Sequence, residues 1–314
     1  MKNNYIGFIG LGNVGKKLVN NIITKKQKIN LYDKNKKAYL NFKNKNINIC
    51  RDLEELAKKS NIIITCLPSP KSVDNVIGKI LPFINNKHLW IEMSTTDKDE
   101  MIRLSKLFKK KGGQVLESPI TGGEHRATSG NISIFVSGEK KYFKKSFPIL
   151  SKMGHQILYC GKIGNASILK IITNYLASLH LVGIGEALAV AKKNNINLDL
   201  AYKGIKISSG NSFVNETETK VILSGSYDVG FTMDLANKDI SLFNKLANNH
   251  KINVDLGEIL NKKFNKGMKI FGKRSFSTSI VKLVEHQCNI KMRAKNYPKR
   301  LIDKSSKQKG VEIK

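Results

Sequence analysis

The sequence contains few cysteines and few histidines, and their arrangement argues against disulfide and metal chemistry. The four cysteines stand far apart, without a Cys-x-x-Cys pair, at Cys50, Cys66, Cys160 and Cys288. Reduced thiols are the simplest interpretation of this scatter. Apart from His125, the histidines occur singly, without metal-ligand spacing, at positions 88, 155, 180, 250 and 286. We therefore expect no metal centre.

Long uninterrupted apolar runs are also missing. The longest runs, such as Ile62–Leu67, are too short to span a bilayer. The first residues lead directly into a β-like segment, Tyr5–Ile9, without the basic and then apolar pattern of a signal peptide. The sequence therefore predicts a cytoplasmic protein without a membrane partner.

Acidic residues are scarce, since 24 aspartates and glutamates face 55 lysines and arginines, for a formal net charge of +31. Such a charge is typical either of a nucleic-acid-binding protein or of a chain from a lysine-rich proteome. The basic residues are spread in short groups along the whole chain, for example Lys109–Lys111 and Lys262-Lys263. No aromatic motif for base stacking accompanies them. We therefore expect no nucleic-acid partner, although the positive field would attract anionic substrates and cofactors.

The order of elements predicts an α/β domain with a doubly wound parallel sheet, followed by an all-α domain. Over residues 1–163, short β-branched runs such as Ile29–Tyr32 and His88–Met93 alternate with helix-like stretches. From Ala166 to Asn194 there is no proline and apolar residues fall at helical spacing, which predicts one long helix that joins the domains. Residues 164–300 have a sequence pattern typical of helices, and the basic segment 301–314 is expected to be a frayed tail.

A glycine-rich turn marks a candidate cofactor site. The run Gly10-Leu11-Gly12-Asn13-Val14-Gly15 follows the first predicted strand and opens a helix. Gly10 allows the tight turn, Gly12 lets the backbone approach a pyrophosphate, and Gly15 lets the helix pack closely on the sheet. The helix N-terminus adds free N–H groups that favour phosphates. The pattern predicts a Rossmann domain.

Asp33 indicates which dinucleotide is bound. It ends the second predicted strand, where a carboxylate accepts hydrogen bonds from the ribose hydroxyls of NAD and repels the 2′-phosphate of NADP. Three lysines nearby, at positions 34, 36 and 37, could offset a phosphate. The sequence therefore favours NAD and leaves NADP possible.

Several further motifs follow the glycine-rich turn along the chain. Together with it they are, in chain order, Gly7–Gly15, Cys66-Leu67-Pro68, Met93-Ser94-Thr95-Thr96, Ser118–Gly123, Lys170–Asn174, Phe231 and Lys238-Asp239. This set resembles the β-hydroxyacid dehydrogenases, the family of 3-hydroxyisobutyrate dehydrogenase and tartronate semialdehyde reductase, over about residues 5–300.

The resemblance implies roles for residues outside the glycine-rich turn. Leu67, Pro68 and Thr95 are expected in the cofactor site. Lys238 is expected to reach the cofactor, with an ion pair to a nearby acid as the alternative. The residues expected to bind substrate are Thr121, Gly122, Gly123, Phe231 and Asp239.

Lys170 and Asn174 are the candidate catalytic residues. They lie four residues apart in the long predicted helix and therefore project from one face. Oxidation at a hydroxyl-bearing carbon requires the hydroxyl group to lose its proton, and the reverse reaction requires an oxygen to gain one. A partly desolvated lysine can do both, because burial lowers the pKa of a lysine toward the working pH. Asn174 cannot titrate there and is expected to position the substrate or the lysine.

The segment Thr121-Gly122-Gly123 is suited to a carboxylate, because backbone N–H groups and a hydroxyl form an anion nest. Where the family often has a second glycine-alanine step, this chain reads Glu124-His125-Arg126-Ala127. Arg126 offers a planar cation for bidentate capture of an anion. Two interpretations stay open. His125 and Arg126 select a more anionic or more polar hydroxyacid than 3-hydroxyisobutyrate, or they pair with Glu124 or with a neighbouring subunit.

The sequence thus predicts an NAD(P)-dependent oxidoreductase that interconverts a small anionic 3-hydroxyacid and its semialdehyde or keto acid by hydride transfer. The apolar helices of the second half suggest a homodimer or homotetramer. One alternative is an imine-reductase-like enzyme, a branch that commonly lacks lysine at the catalytic position. Others are a 6-phosphogluconate-type dehydrogenase, generally longer in its helical part, and a non-catalytic dinucleotide- or nucleic-acid-binding protein on the same fold.

Overall fold

The computed structural model describes residues 5–24, 27–40, 42 and 46–314, and contacts divide the chain into two compact units. The first unit contains the residues up to Lys170 together with Asp303–Lys314, and the second is Ile171–Ile302. The division by contacts therefore falls inside the long predicted helix, and the C-terminal residues return to the first unit.

The first unit is built on one largely parallel sheet. In the described part of the chain its strands are β1 (Ile6–Ile9), β2 (Ile29–Tyr32), β3 (Ile47–Ile49), β4 (Ile62–Thr65), β5 (Leu89–Glu92), β6 (Gln114–Glu117), β7 (Ile120–Thr121), β8 (Ile132–Gly138), β9 (Gly154–Gly161) and β10 (Val311–Ile313). Their order is β10-β9-β8-β6-β5-β4-β1-β2-β3, with β7 beside β8. The pairings of β8 with β6 and β7 are antiparallel and the others parallel. Because the strand order reverses between β1 and β4, the Rossmann prediction is confirmed.

Helices cover both faces of this sheet. They are α1 (Gly15–Ile22), α2 (Leu53–Lys59), α3 (Pro70–Ile80), α4 (Lys98–Lys110), α5 (Gly123–Ser129) and α6 (Lys140–Met153). Ile62 and Ile64 of β4 share an apolar cluster with side chains from α1, α5 and α6. Ile63, between them, belongs to the opposite cluster with α2, α3 and α4. Burial on both faces explains why β4 is a continuous apolar run rather than an alternating one.

The second unit is built of helices, as predicted. Helix α7 (Asn165–Lys193) enters it from the first unit. The helices that follow are α8 (Leu198–Lys206), α9 (Phe213–Ser224), α10 (Met233–Asn249), α11 (Asp255–Phe271) and α12 (Lys282–Cys288). Four of the helices contribute fully buried core side chains, Leu188, Ile222, Ile240 and Phe264.

By length and composition alone, α7 would suffice to cross a membrane. Its most apolar 18-residue window has a mean hydropathy of 1.4, and 33% of that window is buried. Length and composition do not by themselves show a membrane span, and the expectation of no membrane partner, drawn from uninterrupted apolar runs, stays a prediction. A helix that packs against protein passes the same test of length and composition, and α7 contains the candidate catalytic Lys170.

The C-terminal residues form a strand instead of the frayed tail that their composition suggested. β10 pairs in parallel with β9, with Val311 opposite Gln156. Asn131 holds the preceding segment, because its amide donates to the carbonyl oxygen of Ser306 over 3.1 Å and its Oδ1 accepts from the N–H of Gln308 over 2.8 Å. Backbone hydrogen bonds at a sheet edge do not require an apolar sequence pattern, and so the composition gave no signal.

The C-terminal segment passes close to Ser151 of α6 at Gly310, which is buried. A Cβ at position 310 would overlap Ser151. We expect Gly310→Val to displace β10 and to lower the free energy of unfolding by about 1–3 kcal/mol, the usual cost of overpacking. Urea unfolding measures the change. Lys309→Ala, which alters an exposed side chain beside it, is the matched control. Equal midpoints for the two variants would show that the tail adds no stability.

Candidate active site

The glycine-rich turn between β1 and α1 has the geometry that a dinucleotide phosphate requires. Gly10 has a φ of +96°, and a Cβ there would overlap the carbonyl oxygen of Cys66. A Cβ at Gly15 would overlap the carbonyl oxygen of Gly10. One at Gly12 would meet no described atom within 4 Å. The protein's own packing therefore requires Gly10 and Gly15, while the space beside Gly12 can receive a ligand.

Asp33 is joined directly to this turn. Its carboxylate accepts the N–H of Leu11 over 2.7 Å and the N–H of Asn35 over 2.8 Å. These bonds hold the residue after β2 beside the turn after β1, at neighbouring strand ends. Because a carboxylate has further lone pairs, it can still accept from ribose hydroxyls. The arrangement fits the dinucleotide that the sequence predicted.

The loops after β4 and β5 contain the other residues of the first unit expected beside the cofactor, Leu67, Pro68 and Thr95. A buried carboxylate, Glu92, organises both loops. It accepts hydrogen bonds from the Thr65 hydroxyl and, over 2.6 Å, from the N–H of Ser94. The Ser94 hydroxyl oxygen in turn accepts the N–H of Leu67 over 2.7 Å. Burial raises the pKa of Glu92 to about 7, against the hydrogen bonds from Ser94 and Thr65.

A second buried carboxylate, Glu117, lies beside the first. It ends β6 and is the register partner of Glu92 on β5. It accepts the N–H groups of Gly164 and Ser167, each over 2.7 Å, and the hydroxyl of Ser167. Burial raises the pKa of Glu117 above its ordinary value, and the bonds from Ser167 and Gly164 oppose that shift. Glu117 therefore ties β6 to the start of α7.

Sequence reasoning missed both carboxylates. Each is the last residue of an otherwise apolar strand, in the segments Leu89–Glu92 and Gln114–Glu117. An acidic residue at the end of a buried strand is the signal that could have marked them, because buried carboxylates require donors. Which groups donate depends on the tertiary fold and could not be read from the sequence.

The residues of the expected anion nest, Thr121, Gly122 and Gly123, lie in the first unit. Thr121 ends β7, and Gly122 and Gly123 follow with φ values of +116° and +85°. Only glycine adopts such angles without strain, so the two glycines are conformationally required. Gly122 caps α5 and Gly123 is its first residue, so their N–H groups lie where a carboxylate would be favoured.

His125 and Arg126 both lie against this nest. A Cβ added to Gly122 would lie 3.2 Å from the Arg126 side chain. A Cβ added to Gly123 would lie 3.1 Å from the His125 ring. Burial and the nearby Arg126 charge lower the pKa of His125. Glu124 forms an ion pair with Lys17 of α1. Both side chains therefore lie close to the two glycines.

Lys170 is buried, with 7% of its surface exposed, although the chain is rich in solvated lysines. It follows the first turn of α7, the turn that Glu117 anchors. Burial of a lysine is unusual and requires an interaction or a function to offset desolvation. The structure thus distinguishes Lys170 from an ordinary lysine on a solvated helix face.

The remaining candidates belong to the second unit. Asn174 donates to Asp239 over 2.5 Å, and Lys238 forms an ion pair with Asp239 at 3.0 Å. Asp239 is 1% exposed and thus binds both side chains in a dry environment. The ion pair with a nearby acid, stated above as the alternative for Lys238, is therefore present. Phe231 packs against the core of this unit, and its carbonyl oxygen accepts the N–H of Ser277 over 2.8 Å.

The described residues contain no cluster of three or more His, Cys, Asp or Glu side chains that could hold a metal ion. The donors and acceptors that are present suit a dinucleotide, namely an open glycine turn, a helix N-terminus and a carboxylate for ribose.

The fold and this site define a dinucleotide-binding protein of the Rossmann class. One family model, the NAD binding domain of 6-phosphogluconate dehydrogenase, matches residues 5–161. Another, the NAD-binding of NADP-dependent 3-hydroxyisobutyrate dehydrogenase, matches residues 164–284. The chain belongs to the β-hydroxyacid dehydrogenase family and is an NAD(P)-dependent oxidoreductase.

Relatives span nearly the whole chain. Mitochondrial 3-hydroxyisobutyrate dehydrogenase of Rattus norvegicus is 29% identical over 296 residues, covering 90% of this chain and 88% of the relative. The 2-(hydroxymethyl)glutarate dehydrogenase of Eubacterium barkeri is 26% identical over 289 residues, covering 91% and 96%. The solved structure of Mycobacterium tuberculosis 3-hydroxyisobutyrate dehydrogenase has a TM-score of 0.78 at 22% identity, covering 89% of this chain and 99% of that one.

Proposed function

We propose that the protein catalyses the reversible oxidation of a small anionic 3-hydroxyacid, with Lys170 as the general acid and base. The observation that carries this proposal is the burial of Lys170 next to the first turn of α7, which is anchored at the carboxyl end of the sheet. Ligands of open α/β sheets bind at that edge. The names of the relatives, hydroxyacid dehydrogenases of more than one substrate, support the substrate class.

A nicotinamide cofactor held by the glycine-rich turn and Asp33 would supply the hydride acceptor in oxidation and the hydride donor in reduction. The protein must then move one proton. Neutral Lys170 takes the proton of the substrate hydroxyl as the C–H bond breaks, and its ammonium form returns that proton in the reverse direction. Asn174, held by Asp239, has a fixed amide that would position the substrate or the lysine. The nest at Thr121–Gly123 would hold the substrate carboxylate.

Lys170→Ala tests the proposed proton transfer. We expect kcat with NAD and the best substrate of a 2- and 3-hydroxyacid panel to fall by about 10²–10⁴-fold, the usual value of a positioned acid or base. The dissociation constant of NADH, followed by fluorescence, should change little. Lys192→Ala, an exposed lysine on the same helix, is the control. Retention of most of the turnover by Lys170→Ala would exclude this role.

NAD is the proposed cofactor rather than NADP, because the Asp33 carboxylate accepts the N–H of Leu11 and so lies beside the glycine-rich turn. In Asp33→Asn one acceptor oxygen remains but the repulsion of a 2′-phosphate is lost. We expect the KM for NAD to rise about tenfold, as for a lost hydrogen bond to a charged group, and the KM for NADP to fall. Lys34→Ala, at the exposed next position, should leave the KM for NAD unchanged. An unaltered ratio of the two KM values in Asp33→Asn would contradict the assignment.

Arg126 and His125 are proposed to select the substrate, since both lie against the nest. Arg126→Ala should raise KM about tenfold for a hydroxyacid with a second carboxylate, because a charged hydrogen-bond donor is lost. It should change KM less for one without such a group. Arg103→Ala, on the outer surface of α4, is the control. A uniform loss across both substrates would reject the selective role.

Oligomeric state and location complete the proposal. Half-exposed apolar side chains on α7, at Ile172 and Leu176, support a homodimer or homotetramer, because such a stripe is favoured when another helix covers it. A cytoplasmic location, without nucleic-acid or membrane partners, remains a prediction from the sequence.

A further inference from the structure

Side chains of the sheet bind N–H groups at the start of α7. The first N–H groups of a helix have no partner within the helix. Glu117 accepts the N–H of Ser167 in the first turn and that of Gly164 just before the helix. The Ser137 hydroxyl oxygen on β8 accepts the N–H of Ala166 over 2.9 Å. Two neighbouring strands therefore hold the first turn, and the helix cannot slide or rotate without breaking buried hydrogen bonds.

Glu117 acts only as an acceptor in this arrangement. One carboxylate oxygen faces the N–H of Gly164, and the other faces the N–H and hydroxyl of Ser167. An amide in its place would turn an NH₂ group toward one of these donors. A buried donor left without an acceptor is costly, so the first turn would have to move. Lys170 lies three residues beyond Ser167, and any movement of that turn is transmitted to it.

Glu92 occupies the same level of the sheet but serves other groups. Its contacts are Thr65 and Ser94, and through Ser94 it holds the N–H of Leu67. These residues belong to β4 and the cofactor-side loops and not to α7. Two buried carboxylates in register on adjacent strands thus fix two different parts of the site.

We propose that Glu117 is a positioning residue that sets the depth and orientation of Lys170 by anchoring the first turn of α7, while Glu92 positions the cofactor loops. The inference deepens the proposed function and rests on the role given to Lys170. It predicts that replacing the Glu117 carboxylate mainly lowers kcat, whereas replacing the Glu92 carboxylate mainly weakens NADH binding.

The experiment compares Glu117→Gln with the matched variant Glu92→Gln in the full-length protein. With NAD and the best hydroxyacid of the panel, Glu117→Gln should lower kcat at least about tenfold and leave the dissociation constant of NADH within about twofold, because small displacements of a reacting group cost rate. Glu92→Gln should show the opposite split, with weaker NADH binding and a smaller change in kcat. Glu117→Asp, which keeps the carboxylate, should recover part of the lost kcat.

A second readout does not depend on turnover. Acetic anhydride labels uncharged lysine amines, and peptide mass spectrometry gives the labelling rate of Lys170 relative to the exposed Lys192. Glu117→Gln should raise that ratio severalfold, because the first turn loosens and Lys170 becomes more accessible. Glu92→Gln should leave the ratio unchanged. If Glu117→Gln does not fold, Ser167→Ala removes a single donor and should move the ratio in the same direction.

The outcomes separate this inference from the proposed function. Full turnover in Lys170→Ala would overturn the proposed function itself. An inactive Lys170→Ala together with wild-type kcat and wild-type labelling in Glu117→Gln would overturn the positioning role alone. Equal kinetic losses in Glu117→Gln and Glu92→Gln, with NADH binding weakened in both, would also overturn it, because they would indicate a common structural defect.

Discussion

A buried carboxylate must be met by hydrogen-bond donors, and this requirement shapes the site of this protein. Glu117 and Glu92 end adjacent parallel strands and are 0% exposed. Within the first unit their donors come from the start of α7 and from the loops after β4 and β5. Leaving such a group unpaired costs several times more free energy than an ordinary surface contact contributes. The elements that carry Lys170, Leu67 and Ser94 are therefore fixed to one edge of the sheet.

The same edge carries the glycine-rich turn and Asp33. In a parallel sheet the carboxyl ends of all strands lie at one edge. The loops that follow the strands and the N-termini of the next helices therefore lie at that edge too. The bond from the N–H of Leu11 to Asp33 joins two of these loops directly. In the proposed function, the protein contributes to the chemistry of the nicotinamide an orientation, an anion nest and Lys170 as proton carrier.

Local patterns were sufficient to predict part of this site. The turn from Gly10 to Gly15 follows a strand and opens a helix, as predicted, and the two glycines Gly122 and Gly123 lie together before and at the start of α5. Strand β1 begins one residue later than the predicted Tyr5–Ile9, since Tyr5 lies outside it. These features depend on neighbours in sequence, and so they could be recognised without a fold.

Features that depend on distant residues were not predicted. The bonds of Glu117 to Gly164 and Ser167 and of Asn174 to Asp239 join residues far apart in sequence. The basic composition of residues 301–314 predicts a frayed tail, whereas the pairing of β10 needs only the free edge of β9. Short elements such as α5 give too few residues for a periodic signal.

The account depends on Lys170 exchanging a proton with the substrate. A crystal structure of the enzyme with NADH and a bound, unreactive hydroxyacid analogue tests this most directly. It should place the Lys170 Nζ within about 2.6–3.2 Å of the oxygen on the reacting carbon, the range for direct proton transfer. A complex in which this amine lies in bulk water, while another acid or base contacts that oxygen, would contradict the account.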